Sequence, residues 1–144
     1  MPNLFDLSTT LTVIFAALLV GNVATQLWLN ARQARHVWTH RDTVPMAFAA
    51  SVSLAEHQKA ADYTLAKLRL GNWGILLSAT VLLGWTLMGG LEALNLALRD
   101  VFGAGMTQQL ALMASVTVLG SLIELPLSWW RTFRLEAAFG FNKT

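Results

Sequence analysis

Three stretches without a charged side chain decide what this chain can fold into. No ionisable residue lies between Asp6 and Arg32, between Arg69 and Glu92, or between Asp100 and Glu124. A helix needs roughly 20 residues to cross a hydrocarbon core of about 30 Å, and each stretch is long enough. A soluble domain of 144 residues would have to hide all three from water. Yet the chain is 55% hydrophobic and only 12% charged, about half the usual charged share. The expected fold is therefore all-α and integral to a membrane. It has three transmembrane helices, a cytoplasmic helical hairpin between the first two, and a single transmembrane domain over residues 1–144.

The first span is expected over about residues 7–29. Asp6 or Ser8 can cap its start, and Trp28 stands where an interfacial aromatic belongs. Ala17, Gly21 and Thr25 recur every four residues and leave a smooth face for a neighbouring helix. The connection 30–70 is polar and basic, and Pro45 disfavours helix at Val44. Ser53 and Glu56 form a Ser-x-x-Glu capping box that opens a second polar helix. Leu54, Ala61, Leu65 and Leu68 follow one face of it, while Glu56, Lys59 and Asp62 are left for water. Only Gly71 interrupts the path from Leu68 to Trp73, so this helix can run into the second span, expected over about 71–91. Gly89 and Gly90, near its far end, loosen the helix or admit a close neighbour. The stretch from Glu92 to Gly105 turns the chain around. A third span follows over about 106–127, ending near Pro126, with the tail 128–144 beyond it.

Lysine and arginine set the orientation. Six of the ten lie in the 30–70 connection (Arg32, Arg35, Arg41, Lys59, Lys67 and Arg69), and Arg131, Arg134 and Lys143 follow the third span. The second connection has only Arg99. This predicts the N-terminus outside and the C-terminus in the cytoplasm, with Trp28, Trp73, Trp129 and Trp130 all at the cytoplasmic boundary. The N-terminus lacks the basic start of a secretory signal, which predicts a retained span. A formal charge of +2 gives no reason to expect a nucleic-acid partner. With no cysteine, disulfides, thiolate zinc sites and a cysteine nucleophile are excluded.

Few residues suggest chemistry. His36 and His40 share a helical face, and a metal held there would need a third ligand from Asp42, Glu56 or His57. The plainer reading is a solvated basic face. Glu92 marks the outer boundary. Glu124 lies within the third span, where a carboxylate is a functional candidate by default, although it stands a turn from the boundary and within reach of Arg131. The basic connection can also meet anionic lipid headgroups.

Two segments carry a family likeness. Lys59-Ala-Ala-Asp-Tyr-Thr-Leu-Ala-Lys-Leu-Arg69 resembles the cytoplasmic helix before the second span of CAAX prenyl protease-like membrane zinc metalloproteases. The tail from Leu125 to Thr144 resembles that family's leucine-proline start, followed by Thr-Phe, Glu and Gly-Phe-Asn. Where family members often have a second acid, this chain has Ala137. The resemblance covers essentially the whole chain and marks Glu124, Pro126, Arg131, Glu136, Gly140, Phe141 and Asn142 as family-signature or substrate-proximal positions. Family enzymes hold zinc with a His-Glu-x-x-His helix and a later glutamate, and the motif's glutamate activates the attacking water. No such motif occurs in these 144 residues. The resemblance therefore implies an N-terminal, non-catalytic part of such a protease, located in a bacterial inner membrane and without a cofactor of its own. Zinc would be held by the catalytic part. Its partners would be the bilayer, that C-terminal catalytic part and a peptide substrate. The rival expectation is a self-sufficient three-span adaptor or small oligomer, with Ala17, Gly21, Gly89 and Gly90 as packing contacts.

Overall fold

The computed structural model describes residues 4–139, whose regular structure is all helical, without a strand. Helix α1 spans Leu4–Thr39, α2 Leu54–Thr86, α3 Gly90–Phe102 and α4 Met106–Trp129. A π-helical turn, Trp130–Leu135, and a short α5, Glu136–Phe139, complete the order.

The helices have almost no interior. Ala61 is the one buried apolar residue among those described, while Leu18, Met113 and Val101 are 69%, 70% and 73% exposed. Helices in water bury their large apolar side chains against one another. Here no residue in the most apolar windows of Asp6–Thr39 and Met106–Phe139 is buried. Lipid is the solvent such surfaces require, and the chain is an integral membrane protein.

Five hydroxyl groups in these stretches bond to their own helix. Thr12, Thr25, Thr80 and Thr117 each donate to the carbonyl four residues back, at 2.7–2.9 Å. Ser121 does the same to Thr117 at 2.8 Å. A hydroxyl closed onto its own helix leaves little unmet polarity in hydrocarbon.

α1 has 36 residues, about 54 Å of helix at 1.5 Å per residue. That exceeds the hydrocarbon core, so the change at Asn30 from apolar to basic is a change of surroundings and not of backbone. α2 runs without interruption from its capping box into the apolar stretch, as expected, but it ends at Thr86. The Met88 N–H reaches back to the Leu83 carbonyl at 3.1 Å, and Gly89 then takes φ +77°, a left-handed conformation that glycine adopts freely. α3 leaves the break bent by 54° from α2. Residues 92–105, read from the sequence as a turnaround, are thus mostly helix. Their leucine and alanine content favours helix strongly, and the reversal is confined to 87–89 and 103–105. By length and hydropathy there are two candidate spans, or three if the bent α2–α3 pair counts as one.

The chain divides into two compact units. The first comprises residues 1–20 and 76–126, and the second 21–75 and 127–144. In the first, Gln108 is buried and donates its amide to Asn95, tying α4 to α3. Gly90 fits tightly there: a Cβ on it would lie 2.8 Å from the Gly84 carbonyl oxygen and 3.2 Å from the Trp85 ring. In the second unit α1 and α2 run in opposite directions, joined by Asn30 Nδ2 to Asn72 Oδ1 at 2.7 Å. Gly74 of α2 lies so close to Leu127 that a Cβ would sit 3.2 Å from the leucine Cδ2.

Candidate functional site: the basic ends of the helices

The second unit collects most of the charge and the aromatic side chains singled out in the sequence. Its firmest feature is a two-pronged ion pair between Arg41 and Asp62. Nε meets Oδ1 at 2.7 Å, and the terminal nitrogen meets Oδ2 at 2.8 Å. The planar guanidinium matches a carboxylate in this way, whereas lysine cannot. The same arginine reaches Asp42 at 3.3 Å, and Gln58 donates to Asp42 at 2.8 Å. Together these contacts fasten the turn after α1 to the first turns of α2. The hydrogen bond from Arg41 holds the Asp62 carboxyl below its usual range, and the pairing pushes the Arg41 guanidinium still further up. Asp62, expected to be free for water, is instead the anchor of this pair. The miss has a simple origin: 21 residues separate the partners, and no local periodicity links them.

The capping box forms as expected. Glu56 Oε2 accepts from the Ser53 N–H at 2.9 Å and from its hydroxyl at 2.8 Å, while the Glu56 N–H donates to Ser53 Oγ. The Ser53 backbone donor holds the Glu56 carboxyl low.

His36 and His40 share a face, with ring centroids 4.3 Å apart. Their nitrogens are not arranged for a metal. His40 Nδ1 lies 2.9 Å from the His36 carbonyl oxygen, and His57 Nε2 lies 3.0 Å from the His40 carbonyl oxygen. A ring nitrogen facing a carbonyl carries the proton, so in His40 and His57 only the opposite ring nitrogen keeps a lone pair. Among the described residues no three His, Asp or Glu side chains converge on a metal position.

The tryptophans fall into register through inter-helix contacts. Asn30 and Asn72 meet, and Trp28 and Trp73 stand two residues and one residue from them. Gly74 approaches Leu127, two residues before Trp129. All four tryptophans named in the sequence, Trp130 included, are exposed. Amphipathic rings at one level on three helices form the kind of belt that membrane interfaces favour.

α4 passes through Pro126 without stopping. Proline removes the N–H that would meet the Leu122 carbonyl, a loss that transmembrane helices tolerate. The helix runs on to Trp129, past the proline near which the third span is expected to end. The π turn follows, with Arg131 exposed and the Arg134 guanidinium 5.3 Å from the Trp130 ring centroid. Such wide turns recur where function asks for a local change of helical register. Phe139 closes the described tail edge-on against Tyr63, at 5.4 Å between centroids. The two segments that carry the family likeness therefore touch.

The remaining expected positions are dispersed. Glu124 is exposed on α4 and makes no ion pair among the described residues. Glu136 begins α5. Gly140, Phe141 and Asn142 lie outside the described residues. Ala17 and Gly21 are exposed on α1, and nothing stands within 4 Å of a Cβ placed on Gly21. Gly89 likewise has open space, while the close neighbours of Gly90 are Gly84 and Trp85 of its own chain.

Residues 33–144 match the family model described as CAAX prenyl protease N-terminal, five membrane helices. No curated protein and no solved structure matches the chain.

Proposed function

The chain belongs to the CAAX prenyl protease N-terminal family, and from that premise we propose that it is the non-catalytic membrane scaffold of a zinc metallopeptidase. In this role its helices form part of the wall of a membrane chamber and position a catalytic part that carries the His-Glu-x-x-His helix. The observation that carries the reading is the family match over residues 33–144, in a chain whose sequence holds no such motif. The basic connection and tail face the cytoplasm, with the tryptophan belt at that boundary and the N-terminus outside. Arg131, Arg134 and Glu136 stand at the cytoplasmic mouth of the chamber, where a peptide substrate would pass.

The contact between Tyr63 and Phe139 supports a scaffolding role. It links the helix before the second apolar stretch to the tail, so the two signature segments hold each other in place without a catalytic group between them. Zinc analysis tests the proposal directly. The purified chain, loaded with zinc and then passed over a desalting column, is expected to retain no stoichiometric metal and to cleave no peptide. Tight one-to-one zinc retention would overturn the scaffold reading.

A further inference from the structure

We propose that α3 is an interfacial helix, seated along the lipid headgroup–acyl boundary. The inference goes beyond the scaffold reading and rests on one part of it, that α2 and α4 cross the bilayer.

α3 has 13 residues, about 20 Å of helix, and cannot cross a core of about 30 Å. It is tethered at both ends by links of three residues, 87–89 and 103–105, to helices whose adjoining segments carry no charge. It therefore starts and finishes where those apolar segments end. The 54° bend at Gly89 turns it out of the line of α2.

Its surface is divided as an interface demands. Leu91, Leu94, Leu98, Val101 and Phe102 occupy one half of the helix, while Glu92, Arg99 and Asp100 occupy the other, with Leu96 the one large apolar side chain among the charges. Leu94 and Leu98, in the middle of the apolar half, are half-buried, and the neighbouring Asn95 bonds Gln108 of α4. The ends of that half are open: Val101 is 73% and Phe102 52% exposed, and the flanking Met88 and Met106 are 82% and 77% exposed. Water would penalise those apolar ends. Hydrocarbon on all sides would instead penalise the three charges, which a re-entrant course would carry inward. The boundary satisfies both halves at once.

The native sequence has no cysteine, so single cysteines can be placed cleanly in the full chain. Glu92→Cys, Arg99→Cys, Val101→Cys, Phe102→Cys and Leu82→Cys are labelled with an environment-sensitive fluorophore and reconstituted in vesicles of phosphatidylcholine and phosphatidylglycerol. Val101 and Phe102 labels are expected to show blue-shifted emission, quenched by nitroxides near the headgroups. Glu92 and Arg99 labels are expected to lose emission to aqueous iodide. Shielding of all four from iodide, with quenching by nitroxides deep in the acyl region, would overturn the proposal in favour of a re-entrant loop. Equal iodide quenching of all four would overturn it in favour of a helix projecting into water. Iodide quenching at Leu82 would remove the crossing of α2 itself, and the proposal with it.

Discussion

The break between α2 and α3 offers the sharpest quantitative test, because its two adjacent glycines are needed for different reasons. Gly89 sits at φ +77° with open space around a notional Cβ, so an alanine there meets only the intrinsic penalty of the left-handed region, roughly 1–2 kcal/mol. Asparagine enters that region more easily, so Gly89→Asn should recover part of the loss. Gly90 has no such φ, but its Cβ would press to 2.8 Å on the Gly84 carbonyl oxygen and 3.2 Å on the Trp85 ring. A helical carbonyl has little freedom to retreat, so Gly90→Ala should cost about 1–3 kcal/mol, as overpacking does. Asparagine at 90 should be no better than alanine, and a larger side chain should be worse. The assay is unfolding of the purified chain in mild detergent by titration with sodium dodecyl sulfate, followed by far-ultraviolet circular dichroism. The reasoning is refuted if alanine and asparagine at 89 are equally costly, or if Gly90→Ala is neutral. A gain in stability and helicity from Gly89→Ala would be worse still, because it would mean that α2 and α3 prefer to run as one helix.

Other outcomes follow from the second unit. Asn30 and Asn72 join α1 to α2, and a double-mutant cycle with alanine should return a coupling of about 0.6 kcal/mol, the average for such bonds in membranes; zero coupling would remove the bond from the account of how the tryptophans are aligned. Replacing Ser53 by alanine should cost about 1 kcal/mol and fray the first turn of α2, visible as faster amide exchange at residues 54–57. The carboxyls of Asp62 and Glu56 are held low in the folded chain, so their stabilising contribution is present above their unfolded values and is lost as pH falls through the folded ones. Stability in detergent should therefore be level near neutrality and decline below about pH 4. Asp62→Asn should lower the plateau and flatten that decline, and an unchanged acid profile would count against the pair. Arg41→Lys keeps the charge but loses the two-pronged geometry, so it should destabilise the chain and release the turn at 40–53 to protease. Wild-type resistance to digestion in that variant would show the fork to be dispensable.

How much of this was legible beforehand follows the range of each interaction. The capping box joins residues three apart, so Ser53 and Glu56 declared a helix start. The continuity of α2 past Gly71 could likewise be read from neighbouring residues. Pairings across the hairpin gave no such sign. Asp62 looked like any solvated acid on a polar face, because its partner lies 21 residues away. The stretch 92–105, expected to turn the chain around, holds a short helix that its charges did not announce. Glu92, Arg99 and Asp100 sit on one side of that helix, and its other side is leucine-rich. Pro126 lies inside α4, since a bilayer helix carries a proline that would end many helices in water. For the candidate site, sequence identified the tail and the 59–69 helix as related segments, but not that Tyr63 and Phe139 would bring them together.

The sequence by itself determined the solvent. Charge-free stretches long enough to cross a bilayer, with basic residues gathered between and after them, leave lipid as the only medium in which this chain can lie stably. That conclusion depends on composition along a line, and needs no knowledge of which helix touches which. Tertiary structure decided where the helices bend and what joins them: the left-handed turn at Gly89, the Asn30–Asn72 bond and the Arg41–Asp62 fork. Hydrophobic burial chooses few partners among helices already dissolved in hydrocarbon. Such details rest instead on short-range geometry between distant residues, which becomes visible only once the chain is folded.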